Sequence, residues 1–194
     1  MRLSRRTLPR RRAGEAGLAW NRPNLLSRNE LSLSSPQFED GGLLPLETAS
    51  TAAGGQNLSP TLVWDPQKVS GQRLLVVVED ADAARRRPAV HCLASLDGQR
   101  FRSGRIEAGA LTSGDEDEGI MLLRSTFGRG YVGPAAVRGH GLHRYVFQLF
   151  VLPMDLSPTI YGRLERRRPG KLLGEIGMPV IGRGRLTGLY DVCR

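Results

Sequence analysis

The stretch Tyr131-Val-Gly-Pro-Ala-Ala-Val-Arg-Gly-His-Gly-Leu-His-Arg-Tyr-Val-Phe147 constrains the fold more than any other part of this chain. It is a glycine-rich loop that runs directly into a strand, with His143 at the join. Gly130, Gly133, Gly139 and Gly141 permit backbone geometries that a side chain forbids and let a ligand approach the main chain. From Tyr145 the pattern has period two. Tyr145, Phe147, Leu149 and Val151 point one way, and Val146, Gln148, Phe150 and Leu152 the other. A histidine where a flexible loop meets a rigid strand is well placed to hold a ligand. His91 and His140 are the only other histidines.

Other segments read in the same way. Leu74–Val78 is a continuous apolar run, as expected of a strand buried on both faces. It stops at Glu79-Asp80-Ala81-Asp82. Val90–Leu96 and Leu58–Trp64 read as strands, Leu31–Ser34 and Met121–Leu123 as short ones. Leu186, Gly188, Tyr190 and Val192 alternate in a final strand. Thr112–Gly119 reads as an acidic surface loop, and residues 171–177 as a short helix stopped by Pro179. With 24 glycines and 12 prolines in 194 residues, many short strands divided by turns predict an all-β, two-sheet antiparallel sandwich with short peripheral helices.

The net charge of +9 is concentrated in two places. Residues 1–12 hold six arginines and no acid, and residues 163–171 hold Arg163, Arg166, Arg167, Arg168 and Lys171 against Glu165. The rest is near neutral. Such patches attract phosphate-bearing surfaces without specificity, and equally serve as solvated segments. Lys68 and Lys171 are the only lysines among 28 basic residues, a bias that fits a GC-rich coding sequence. Residues 1–24 read as a basic, partly disordered arm with Trp20 as an anchor, and residues 25–194 as the domain. Ser4-Arg5-Arg6-Thr7-Leu8 is similar to a twin-arginine export signal, but Pro9-Arg10-Arg11-Arg12 follows where an apolar region should, so a cytoplasmic location is expected. Cys92 and Cys193 are expected to be reduced thiols. No Cys/His cluster has zinc-site spacing, and no metal or cofactor is expected.

Asp80 and Asp82 follow one strand, His91 begins the next and His143 begins a later one. Carboxylates at a strand end orient an adjacent imidazole and raise its pKa. Two histidines beside glycine N–H groups suit an anion, phosphate above all. Taken singly, each residue has a structural reading: the aspartates as turn caps, His91 as a core histidine, His143 as a surface residue.

Taken together, Asp80-Ala-Asp-Ala83, Val90-His91, Tyr131-Val-Gly-Pro134 and Gly141-Leu-His-Arg-Tyr-Val-Phe147 resemble the signature blocks of the phosphatidylethanolamine-binding protein family, also called Raf kinase inhibitor-like proteins. Ser35-Pro-Gln-Phe-Glu-Asp-Gly-Gly42 and Gly55-Gln-Asn-Leu-Ser-Pro60 are similar to its earlier blocks. The arginine-rich start and Ala16-Gly-Leu-Ala-Trp-Asn-Arg-Pro-Asn24 look like actinobacterial members. The resemblance implies a Greek-key sandwich, a pocket for phosphate or phosphorylethanolamine-like head groups, and a C-terminal helix near the pocket mouth. By position, Asp80, His91 and His143 match the polar core of that pocket, Asp82 the second aspartate, and Tyr131, Gly133, Pro134 and Tyr145 its loop and wall. Ala81 and Ala84 stand where the family has prolines, Cys92 where it has an aromatic, and Ala136-Val137 where it has a proline pair. A wider, less rigid rim is expected.

The function expected is a non-enzymatic binding protein for a small phosphate-bearing or carboxylate ligand. The alternative is a regulatory protein that inhibits a kinase or protease by direct contact. A weak attraction of residues 1–12 to anionic membranes and a homodimer are both open, and no specific nucleic-acid partner is expected, because no basic face with interleaved aromatics occurs. Hydrolase chemistry is disfavoured: there is no Gly-x-Ser-x-Gly elbow, and Cys92 sits in an apolar strand.

Overall fold

A computed structural model describes residues 11–68, 73–113, 118–135, 139–154 and 168–191. Among these residues nine strands form two sheets: β1 Leu33–Ser34, β2 Gly42–Leu43, β3 Leu62–Trp64, β4 Arg73–Asp80, β5 Ala89–Asp97, β6 Arg105–Ile106, β7 Ile120–Leu122, β8 His143–Leu152 and β9 Gly182–Tyr190. The larger sheet has the order β2-β9-β8-β4-β5-β7 and the smaller β1-β3-β6. All pairs are antiparallel except β2 with β9, which is parallel.

The Leu74–Val78 run of β4 is apolar throughout because both of its faces are covered. Leu74, Val76 and Val78 face the inner core with Phe147, Leu149, Trp64 and Phe38. Leu75 and Val77 face an outer cluster with Leu93, Phe150 and Leu152. Each such fully buried aliphatic side chain contributes about 1.5–3 kcal/mol. Leu172, Leu173 and Ile176 belong to the same outer cluster. The first two are carried by the one α-helix among the described residues, α1, Pro169–Gly174. It starts two residues earlier than expected because Pro169 takes an N-terminal position where its missing N–H costs nothing. β3 is shorter than the expected Leu58–Trp64, since Pro60 lacks a ladder donor. The last strand ends at Tyr190, and Val192 lies outside the described residues.

The N-terminal segment departs from expectation. Residues 1–10 lie outside the described set, but from residue 13 the chain is built into the body. Ala13 and Gly14 donate backbone hydrogen bonds to Ala83 O and Ala81 O, at 3.0 and 2.8 Å. Three 3-10 turns follow, Glu15–Gly17, Ala19–Asn21 and Pro23–Leu25, and bury Leu18, Ala19 and Leu25 completely. Two buried side chains on the outer face anchor them. Glu79 accepts the Ala19 N–H at 2.7 Å, and Gln148 Oε1 accepts the Trp20 N–H at 2.6 Å. The Arg183 guanidinium stacks 4.0 Å from the Trp20 ring. The expected boundary at residue 24 therefore does not hold, because apolar burial and buried acceptors dock this segment before β1 begins.

Candidate functional site

The site lies at one end of β4, β5 and β8, on the inner face of the large sheet. Asp80 closes β4 opposite Tyr145, and His143, two residues before Tyr145, projects on the same face. His143 Nδ1 lies 2.9 Å from Asp80 Oδ2 and donates to it. The second Asp80 oxygen accepts the Asp82 N–H at 2.8 Å, which fixes the carboxylate plane. All of Asp80, His91 and His143 are buried.

His91 reaches the same space through an irregularity. The β4–β5 register runs Val78 opposite Cys92, then Glu79 opposite Val90. His91 is thus the extra residue of a β-bulge, a device that re-aims a side chain. Its ring meets Tyr145 edge-on, 5.0 Å between centroids, and tilts against Phe127 at 4.7 Å. Its Nδ1–H donates to Val132 O at 2.6 Å, and Val132 N–H returns a bond to His91 O. Burial lowers the His91 pKa from its ordinary 6.5. The Val132 bond and the Asp80 charge act the other way and lose. The expected upward shift from a nearby carboxylate is therefore reversed at His91, because desolvation of a nearly enclosed ring outweighs it. The neutral ring keeps its proton on Nδ1 and leaves Nε2 as an acceptor.

The glycine loop is held from behind. Gly133 N–H donates to Asn57 Oδ1 at 2.7 Å, and Asn57 Nδ2 donates to Tyr131 O at 3.1 Å. Asn57 is the one non-glycine residue with positive φ among the described residues, a conformation asparagine tolerates better than most. A Cβ on Gly133 would lie 2.1 Å from Thr48 O, so only glycine fits. The Tyr131 hydroxyl donates to Thr48 O at 3.1 Å, and Pro134 O accepts the Ser50 N–H at 2.9 Å. Tyr131, Gly133 and Pro134 thus form a braced wall. Burial pushes the Tyr145 hydroxyl pKa upward, as it does for Tyr131. The altered rim residues Ala136 and Val137 lie outside the described residues.

Asp82, expected beside the histidines, faces two guanidinium groups instead. It accepts the Arg144 N–H, Nε–H and Nη2–H at 2.9, 2.8 and 2.9 Å, and Arg12 Nη1 stands 2.9 Å away. Burial opposes its ionisation, but the bonds from Arg144 and Arg12 prevail and hold its pKa well below the usual carboxylate range. Its oxygens are committed, so it acts as a hub rather than as a ligand group. The helix expected at the pocket mouth also differs. α1 packs on the outer face of the sheet, whereas His143 and Tyr145 project from the inner face.

Sequence reading missed four contributors. His140 Nδ1 lies 2.7 Å from His143 Nε2, and His140 Nε2 is buried without a hydrogen-bond partner. Its signal was its place between two glycines, three residues before His143. Arg144 and Asn57 were legible only as charge and turn chemistry. Arg12 falls within the stretch expected to be a basic, partly disordered arm. Beside the site, a groove of about 530 Å³ is lined mainly by apolar residues, among them Leu43, Leu46, Leu142 and Tyr190. Among the described residues, no group of three His, Cys, Asp or Glu side chains is arranged to hold a metal ion. No helix there is long and apolar enough to cross a membrane.

These features define a two-sheet β protein with a buried polar cluster at one sheet end. The family model described as phosphatidylethanolamine-binding protein matches residues 34–191, and the chain belongs to that family. A UPF0098 protein of Mycobacterium tuberculosis (strain H37Rv) is 32% identical over 176 residues, covering 91% of this chain and 78% of that protein. A solved structure described as a new member of the mammalian PEBP family, from E. coli, matches with a TM-score of 0.67 at 20% identity, over 83% of this chain and 98% of the other. A phosphatidylethanolamine-binding protein homolog from Chlamydia trachomatis matches with a TM-score of 0.64 at 22% identity, over 84% and 98%. At these identities the two structures speak for the shared fold.

Proposed function

We propose that this chain is a non-enzymatic binding protein whose pocket takes a small phosphate-bearing anion, inorganic phosphate or a phosphorylethanolamine-like head group. The observation that carries the reading is the buried Asp80–His143 pair beside His91, with His140 on the remaining nitrogen of His143. Asp80 fixes the tautomer and orientation of the His143 ring. His91 is neutral when the pocket is empty, and an arriving phosphate oxygen needs a donor at Nε2. Binding is therefore coupled to proton uptake by His91, and affinity rises as pH falls toward and below 6.5. A low-dielectric wall of Tyr145 and Phe127 strengthens each charge-assisted bond. The adjoining apolar groove supports ligands that carry an apolar portion beside the phosphate.

Binding rather than nucleophilic catalysis is also supported by Cys92, whose thiol is buried and pushed up to about 12, far from the thiolate a nucleophile needs. Isothermal titration with phosphate and O-phosphorylethanolamine at pH 5.5, 6.5 and 7.5 tests the reading. Binding that tightens with acidity and is lost in His143→Ala is expected. Absence of binding by the wild type to either compound in the millimolar range overturns it.

A further inference from the structure

Arg12 joins three parts of the molecule that are far apart in sequence. Its Nη1 donates to Leu142 O at 2.7 Å, its Nη2 to His140 O at 2.9 Å, and Nη1 also stands 2.9 Å from Asp82 Oδ1. The two carbonyls flank Gly141, so a single guanidinium grips both sides of the loop that carries His140 and feeds His143. We propose that Arg12 is a positioning residue for the pocket, and that residues 12–18 are part of the frame of the site rather than a tail. The proposal rests on the anion-binding reading above.

The loop needs an external brace. Gly139 and Gly141 have φ of 82° and 80°, a backbone with unusual freedom to move, yet His140 Nδ1 is held 2.7 Å from His143 Nε2. The loop's own side-chain bond is that of His140 to His143, and Arg12 adds two more from outside, to the main chain on either side of Gly141. Arg12 reaches its three acceptors from two nitrogens of one rigid planar fork, a geometry that the single nitrogen of an ammonium does not reproduce.

The same segment braces the other side of the pocket. The Asp80–Ala84 turn has alanine at both of the positions where proline would stiffen it. Here Ala13 and Gly14 donate to Ala83 O and Ala81 O, and Leu18 packs with Ala81 and Val146 in a small buried cluster. Hydrogen bonds and packing from the N-terminal segment thus supply, from outside, restraint that proline would build into the turn. Asp82 links the two halves, because it binds Arg12 and Arg144 together.

Magnitude separates this role from that of an ordinary surface ion pair. The Arg12 side chain is 39% exposed and regains water when freed, and Asp82 keeps its three bonds from Arg144 when Arg12 is removed. Global stability should therefore change little while loop order changes much. The test compares Arg12→Ala, Arg12→Lys and the charge-matched control Arg11→Ala. Imidazole 15N spectra of the ligand-free proteins and inorganic phosphate affinity are measured, with melting temperature as the folding control. Arg12→Ala should alter the His140 and His143 signals without ligand and weaken phosphate binding by about tenfold or more. Arg12→Lys should fall between, and Arg11→Ala should match the wild type. Unchanged imidazole signals in Arg12→Ala overturn the proposal, as does an equal loss of affinity in Arg11→Ala. If the wild type binds no phosphate, the anion reading fails and the ligand-free spectra alone decide on Arg12: altered signals support it, unchanged signals sink it.

Discussion

The Asp80 carboxylate and the His143 imidazole form a buried pair across two neighbouring strands, 2.9 Å from Oδ2 to Nδ1. They stand diagonally on one face of the β4–β8 ladder, with Tyr145 directly opposite Asp80. Asp80→Asn keeps the shape but replaces the charged acceptor that orients the His143 ring. Phosphate affinity is expected to fall by roughly tenfold to a hundredfold, by analogy with other outer groups that orient a binding imidazole. Titration calorimetry beside circular dichroism checks this, and a folded variant with wild-type affinity would remove Asp80 from the site.

The sign of the pH dependence at His91 follows from its lowered pKa. Between that lowered value and 6.5 the unfolded chain binds more protons than the folded one. The His91 contribution is therefore full above about 6.5, falls as pH drops through that window, and levels off below the folded value. Urea midpoints at several pH values, wild type against His91→Gln, isolate it. The wild type should lose more stability on acidification than the variant does.

Asp82 acts in the same sense, in a lower pH window. Its depressed pKa means that its contribution is present above its ordinary 3.8 and is lost as pH falls below that value. Asp82→Ala strips Arg12 and Arg144 of their shared acceptor. Because both guanidinium groups are part-exposed, they regain water, and a loss of about 1–3 kcal/mol is expected by chemical denaturation at neutral pH. A loss below the error of that measurement would contradict the hub role.

Gly133→Ala drives a methyl group to 2.1 Å from Thr48 O, so either the loop or the Thr48 backbone must shift. A loss of about 1–3 kcal/mol and a lower melting temperature are expected. A melting curve identical to the wild type would show that the loop yields freely.

In a Cys193→Ser background, Cys92 should resist thiol reagents in the native state and react at once in urea, since it is buried and its pKa is raised to about 12. Rapid native labelling would place the strand in exchange with an open form.

The strands that alternate or run apolar were legible because each side chain is read by one face. β8 was found at its observed limits, His143–Leu152, and β4 and β5 nearly so. Asp80, His91 and His143 were legible through the blocks that carry them, since each sits where a patterned strand meets a loop. Asp82 and Arg12 were not. Their roles depend on contacts of residue 12 with residues 82, 140 and 142, and of residue 82 with residue 144, that no local pattern encodes. His140 was visible, but nothing in a Gly-His-Gly run tells which way the ring turns. The docking of residues 13–25 was hidden because one anchor, Glu79, reads as the polar stop after a strand, and the other, Gln148, as a lone polar residue within one.

The bulge between Val78 and Glu79 makes the site a property of ladder register. His91 faces Tyr145 only because one residue of β5 has no counterpart on β4. Deleting a single residue there would restore a regular ladder and turn the imidazole away, leaving every named side chain in the sequence but no pocket. A transplant of this site onto another sheet must carry the misalignment along with the histidines.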